Sequence, residues 1–273
     1  MKTTSQFSKD NPGWSGRGVP SRQRLGILLF RDSYHAMKKG QIYLSFIMFY
    51  VNLVNLYRFT VDKNKKDVEC VCCGWQGPAF ISVGTSRGPN MQSRCPICDS
   101  RSRHRGLARL LPVLMKGRPG EVLVFAPENV LLNVVDHLKM NYQTTDLYSS
   151  DVDLPGEDIQ SLSFADNSYD WIICNHVLEH VPDDKKGMRE CFRVIKPGGI
   201  AIFTIPGNYK NEKTEQYSDL SRNGHYRNYG RSVCKDFAEA GFTVDMIDMG
   251  ADQDRKWGIR SGDMAFICSK GLE

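Results

Sequence analysis

Asp170-Trp-Ile-Ile-Cys-Asn-His-Val-Leu-Glu-His-Val-Pro182, followed eleven residues later by Arg193-Val-Ile-Lys-Pro-Gly-Gly199, sets the architecture expected of this chain. Residues 171–174 are a short apolar run, and Val177, Leu178 and Val181 recur at helical spacing. Pro197-Gly198-Gly199 then punctuates the chain before a second apolar run at 200–205. The pattern predicts strand, helix and strand, one βαβ crossover. Ligands of open α/β sheets bind outside the carboxyl ends of the strands. Asn175, His176, Glu179 and His180, gathered where the first strand ends, are therefore the first candidates for a site.

The same alternation extends in both directions. Upstream, residues 121–125 read as a strand, 129–140 as a helix and 142–147 as a strand bearing Asp146 near its end, with a further strand-like segment expected after Asp158-Ile159. Downstream, a helix is expected over 233–240, then strands over 242–249 and 264–268 that form a hairpin edge. The fold class is α/β, with a mainly parallel sheet over about 119–273.

Before residue 119 the composition is different. Residues 1–118 carry 20 Lys and Arg against 6 Asp and Glu, whereas residues 119–273 carry 16 against 25. A division into modules follows: an N-terminal tail and helical segment over 1–67, a cysteine-rich module with a basic connecting helix over 68–118, and the α/β domain. The basic face of the first part is compatible with nucleic acid or anionic lipid. A solvated surface explains it equally well, and nucleic acid is not favoured.

Residues 1–22 lack periodicity and read as a loose tail, and residues 25–39 as a helix. Residues 42–57 form 16 uncharged positions between Lys38-Lys39 and Arg58. That run is short of the roughly 20 residues that span a bilayer. Ser45, Asn52 and Asn55 fall along one side, giving an amphipathic helix, packed on protein or lying peripherally on a membrane.

The nine cysteines come without a secretory signal, which points to a reducing cytoplasm rather than a disulfide framework. Cys70-Val-Cys-Cys73 and Cys95-Pro-Ile-Cys98, 21 residues apart, are two Cys-x-x-Cys knuckles. Cys70, Cys73, Cys95 and Cys98 make the four-thiolate set that structural zinc prefers, with no position left open for catalysis. Cys72 leaves the identity of the first pair ambiguous. Arg101-Ser-Arg-His-Arg105 then opens a helix, read as clamping the ribbon rather than gripping phosphates.

Phe125-Ala-Pro-Glu128, Asp158-Ile159, Asn175-His-Val-Leu-Glu-His-Val-Pro182 and Arg193-Val-Ile-Lys-Pro-Gly-Gly199 together resemble the class I S-adenosylmethionine-dependent methyltransferases. The likeness extends to a bacterial subgroup with a four-Cys ribbon upstream and an Ala-Pro-Glu sequence after the first strand. It covers about residues 70–270 and implies a Rossmann-like seven-strand sheet and S-adenosylmethionine as cofactor. It further implies that Ala126, Pro127 and Glu128 hold the cofactor's methionine part, Asp146 and Leu147 its ribose, Asp158 and Ile159 its adenine, and that Asn175 lines the pocket. Val124 and Ala126 depart from the family's usual acidic residue and glycine-rich turn. A degenerate, non-catalytic zinc-ribbon adaptor is therefore the alternative reading.

His176-Val-Leu-Glu-His180 also matches H-x-x-E-H, and on a helix its two histidines share a face, which leaves a divalent metal open there. The favoured reading makes His176 and His180 the catalytic candidates, since an imidazole titrates near neutrality and suits an acceptor that must lose a proton. His225 and Arg227 resemble a His-x-Arg element expected to bind an anionic or sugar-like substrate. The methyl acceptor is unidentified, with a small molecule or glycan favoured.

Overall fold

The computed structural model describes residues 34, 36–85, 88–218, 220, 224–252 and 255–272. The tail expected over 1–22, and most of the helix expected over 25–39, lie outside them. The chain divides into two compact units, Met1–Arg109 with Gln253–Ile259, and Leu110–Asp252 with Arg260–Glu273. The segment Gln253–Ile259 thus groups with the first unit, although sequence patterning expects it inside 119–273.

In the first unit, α1 (Ile42–Thr60) is followed by β1 (Val68–Glu69) paired with β2 (Gln76–Gly77), and by β3 (Ile81–Thr85) paired with β4 (Gly88–Arg94). Ile47, Val51 and Asn55, spaced by four, form the buried face of α1, which packs on β3 and β4. Asn55 corrects the amphipathic expectation. Its amide donates to Ser82 O at 2.8 Å and accepts from Ser82 N at 2.9 Å, so it closes a backbone pair inside the unit. The outward face carries exposed Tyr43, Phe46, Tyr50 and Tyr57 instead. The helix thus buries one amide beside two apolar residues and turns aromatic rings outward.

The helix α2 (Ser102–Leu114) contains the point where the two units divide. Arg105, at its start, is buried. Its guanidinium donates to Ser100 O at 2.5 Å, Trp257 O at 2.9 Å and Gly258 O at 2.7 Å, and lies over the Phe80 ring at 3.9 Å. A side chain so committed does not reach a phosphate.

The second unit holds a seven-stranded sheet. Its strands are β5 (Glu121–Phe125), β6 (Asn141–Asp146), β7 (Leu154–Pro155), β8 (Tyr169–Asn175), β9 (Ile195–Thr204), β12 (Thr243–Asp248) and β13 (Met264–Ser269), in the order β12-β13-β9-β8-β5-β6-β7. Pairing from β7 to β9 is parallel, and β13 is antiparallel to both β9 and β12. This is the seven-strand sheet with a hairpin edge that the sequence predicts. Helices α3 (Asn129–His137), α4 (Asp184–Val194) and α5 (Val233–Glu239) flank it, and β10 (Glu215–Gln216) pairs with β11 (Arg227–Asn228) apart from the sheet. The apolar runs of β8 and β9 are buried along their length, as expected of central parallel strands covered on both faces. Burial of each large side chain there contributes roughly 1.5–3 kcal/mol.

Two local expectations fail. No strand forms between β7 and β8, where residues 158 and 161 make only an isolated bridge. The helix expected to include Val177, Leu178 and Val181 is a single 3-10 turn, Leu178–His180. Pro182 holds Val181 extended, at φ −99° and ψ 128°, and stops the helix. The α-helix starts afresh at Asp184, where the Asp183 carboxylate caps it by accepting from Lys186 N at 2.9 Å.

Candidate active site

A cavity of about 670 Å³ opens at the carboxyl ends of β5, β6 and β8. This is the switch point of the sheet, because the connection from β5 runs to β6 on one side while β8 lies on the other. Ala126 follows β5 with φ +44°, and His176 follows β8 with φ +57°. The left-handed region costs a residue with a Cβ roughly 1–2 kcal/mol. Backbone strain of this kind gathers at functional sites, and here it stands at adjacent strand ends facing one cavity. Each turn is pinned by its backbone: Ala126 N donates to Thr145 O at 2.8 Å and His176 N to Thr204 O at 2.9 Å.

Asp146, Leu147, Asp158 and Ile159 line the cavity with Ala126. Asp146 Oδ1 accepts from the backbone N–H groups of Tyr148 and Ser149, both at 2.7 Å, which fixes the carboxylate at the strand end. Asp158 is held by Gln160, whose backbone N–H reaches Oδ1 at 2.9 Å and whose side-chain amide reaches both oxygens at 3.1 Å. Pro127, Glu128 and Asn175 stand outside the lining. Asn175 corrects its expected place: its Nδ2 donates to Glu128 Oε1 at 2.7 Å and its Oδ1 accepts from Thr204 Oγ1, so its amide is used within the protein.

His176 and His180 line the same cavity. Between them in sequence Glu179 is fully buried, and Tyr226 N donates to its backbone carbonyl at 2.8 Å. His225 sets its ring edge-on to His180, centroids 4.8 Å apart. Arg227 overturns the expectation of substrate binding. It is buried, and donates to the carbonyls of Leu178 at 3.1 Å, Val181 at 2.9 Å and Pro182 at 2.7 Å, to Gln216 Oε1 at 3.2 Å, and pairs with Asp184 Oδ2 at 3.2 Å. Tyr229 completes this network by donating to Asp184 Oδ2 at 2.7 Å, and burial beside that carboxylate pushes its phenol well above the ordinary range. Arg227 staples the turn that carries Glu179 and His180, and it does not line the cavity.

In the first unit Cys70, Cys73, Cys95 and Cys98 converge, all buried, with their sulfurs within 4.8 Å of one another. Cys72, also buried, is outside the quartet. Sγ–Sγ distances of 3.6 Å for Cys70–Cys98 and 3.7 Å for Cys73–Cys95 are far longer than a disulfide. They match the ~3.8 Å edge of a tetrahedron whose metal–sulfur bonds are about 2.3 Å. The two knuckles are built alike. Gly74 N donates to Cys70 O at 2.7 Å, Asp99 N donates to Cys95 O at 3.0 Å, and Gly74 and Asp99 each turn the chain with positive φ. Hydrogen bonds from its thiol neighbours, Cys72 and Cys73 foremost, pull the Cys70 thiol down, while Cys70 pushes Cys73 and Cys95 up. Burial lowers the Arg105 guanidinium, and the nearby sulfurs oppose that shift, so a positive charge lies close to the quartet. A cluster of thiolates around a divalent ion carries net negative charge that this cation offsets.

Residues 128–203, from the turn after β5 to the end of β9, match the model of the methyltransferase domain family. Over that segment the chain is similar to a methyltransferase domain. It is 31% identical over 142 residues to a demethylmenaquinone methyltransferase of Desulfitobacterium hafniense, covering 49% of this chain and 51% of the relative. It is 42% identical over 55 residues to a ubiquinone biosynthesis O-methyltransferase of Coxiella burnetii, covering 20% and 24%. The chain thus spans about half the length of the first relative and a quarter of the second. Among solved structures it is similar to a SAM-dependent methyltransferase from Archaeoglobus fulgidus, with TM-score 0.45, 17% identity, and coverage of 61% and 92%.

Reading motifs alone misses part of this pocket. Tyr148 and Gln160 line it but belong to no motif of the chain, and Tyr226 lines it from the unspecified position of the His-x-Arg element. Gln160 is the one with a signal: it stands two residues past Asp158, the spacing at which a side chain and its own N–H reach back to a carboxylate.

Proposed function

We propose that the protein transfers a methyl group from S-adenosylmethionine to a small-molecule or glycan acceptor. The reading is carried by one arrangement: two aspartates, Asp146 and Asp158, a small residue, Ala126, and two histidines, His176 and His180, line one cavity at the carboxyl ends of the strands. Asp146 has one carboxylate oxygen outside its turn for the cofactor's ribose hydroxyls, Asp158 and the Ile159 backbone suit its adenine, and Ala126 lets the backbone approach its methionine part. The acceptor's lone pair attacks the sulfonium methyl carbon as the carbon–sulfur bond breaks. The bonding pair stays on sulfur, giving S-adenosylhomocysteine, and His176 or His180 takes any proton the acceptor loses. Most of the rate would come from holding the two reactants in line. An adaptor with a degenerate fold has no need of an open pocket with both aspartates in place.

The cysteine quartet fits one structural zinc ion, held by Cys70, Cys73, Cys95 and Cys98. We place the protein in the cytoplasm, with the aromatic outer face of α1 available to a membrane surface.

The test is transfer of label from methyl-labelled S-adenosylmethionine into fractions of a cell extract. Label should enter a small-molecule or glycan fraction, at a rate lowered on the order of a hundredfold or more in His176→Ala or His180→Ala. Label confined to nucleic acid or protein would refute the acceptor class, and no label in any fraction would favour the adaptor.

A further inference from the structure

Glu179 presents a problem that the methyltransferase reading leaves unsolved. Its carboxylate is fully buried, and among the described residues neither oxygen has a hydrogen-bond partner. His176 Nδ1 comes within 3.0 Å of Oε1, yet without the alignment of a hydrogen bond. A buried carboxylate without donors is costly unless a cation compensates it. Imidazoles approach it: His180 Nε2 lies 3.9 Å from Oε1, and the ligand atoms of Glu179, His180 and His225 all lie within 4.8 Å of one another.

We propose that Glu179, His180 and His225 form a binding site for a divalent first-row transition metal, with His176 placed to complete it. Ligands about 2.1 Å from a common ion stand roughly 3.0–3.4 Å apart. The 3.0 Å and 3.9 Å approaches to Oε1 bracket that range. His180 is also prepared for the role. Its Nδ1 lies 3.1 Å from Gly224 O, a contact that places the proton on Nδ1 and leaves the Nε2 lone pair toward Glu179. A backbone carbonyl in that position is the usual support of a metal-bound histidine. Two segments far apart in sequence are held in register at this point, by Tyr226 N on the Glu179 carbonyl and by Arg227 on the carbonyls of residues 178, 181 and 182. A set of two or three imidazoles and one carboxylate suits zinc, manganese, iron(II) or cobalt better than magnesium or calcium.

His180 lines the cavity, so an ion here stands at the acceptor's side of the pocket. Its use rests on the proposed methyl transfer: with the ion bound, His180 acts as a ligand instead of a base, an acceptor hydroxyl that ligates the ion loses its proton to water, and the resulting oxygen anion attacks the methyl carbon. Sulfur keeps the bonding pair and the ion is unchanged. The acceptor class this selects is a hydroxyl- or enol-bearing molecule.

The test is titration of the full chain, its cysteine quartet already loaded with zinc, with Co²⁺. One equivalent should bind, with the weak visible bands of nitrogen and oxygen ligation and without the intense near-ultraviolet bands of thiolate. His225→Ala, in a half-buried loop, should weaken binding about tenfold or more, and so should Glu179→Gln; if Glu179→Gln unfolds, His225→Ala alone decides. No Co²⁺ beyond the zinc site, or uptake unchanged in His225→Ala, overturns the proposal. S-adenosylmethionine binding is measured separately in metal-free and Co²⁺-loaded protein. Cofactor binding without Co²⁺ binding removes the metal site and leaves the methyltransferase; Co²⁺ binding without cofactor binding does the reverse.

Discussion

Replacing Cys95 and Cys98 together by Ser should release the zinc and unfold the ribbon. The module has little else to hold it: β1 and β2 are two residues each, and its buried apolar residues outside the cysteines are few, Val68, Ala79 and Phe80 among them. Structural zinc binding is worth about 10–16 kcal/mol to small thiolate domains at neutral pH, far more than those contacts supply. Elemental analysis should give about one zinc per chain in the wild type and none in the double variant, with fast amide exchange in β3 and β4. Cys72→Ser should keep its zinc, because Cys72 is outside the quartet. A double variant that stays folded and metal-free would refute the structural role.

Arg227→Met should lower the stability of the second unit by about 3–5 kcal/mol, the usual cost of removing one partner of a buried ion pair. The loss leaves Asp184 buried beside Tyr229 with its charge uncompensated, and three carbonyls of the 178–182 turn without their donor. For a domain of this size the melting temperature should fall on the order of 10 °C. Arg227→Lys should recover only part, since an ammonium cannot span three carbonyls and a carboxylate as a planar guanidinium does. Adding Asp184→Asn to Arg227→Met should restore some stability by removing the stranded charge. A substrate-binding arginine would behave otherwise, raising KM at unchanged melting temperature.

That contrast shows where sequence patterning stops. The sheet was legible because its signals are local: apolar runs bounded by Gly and Pro have the length of buried strands, and the order of strands and helices restricts the topology. The cysteine quartet was legible because paired knuckles carry their own geometry. Arg227 was misread because the carbonyls and the carboxylate it holds lie more than forty residues away, and nothing in His225-Tyr-Arg227 tells a guanidinium facing a ligand from one facing carbonyls. Asn175 was misread for the same reason, its amide being claimed by Glu128 and Thr204. The helical spacing of residues 177–181 lost to Pro182, which shows that a proline directly after so short a run outweighs its periodicity. Ala126, a departure from a glycine-rich turn, nonetheless adopts the positive φ that such a turn requires.

The central claim is that the cavity at the strand ends holds S-adenosylmethionine, and isothermal titration of the zinc-loaded chain with that cofactor tests it most directly. Binding at one site per chain is predicted, weakened about tenfold or more by Asp146→Ala, since a hydrogen bond to a charged group is worth about 1.5–3 kcal/mol and each tenfold about 1.4 kcal/mol. A folded, zinc-loaded wild type that shows no binding would contradict the account.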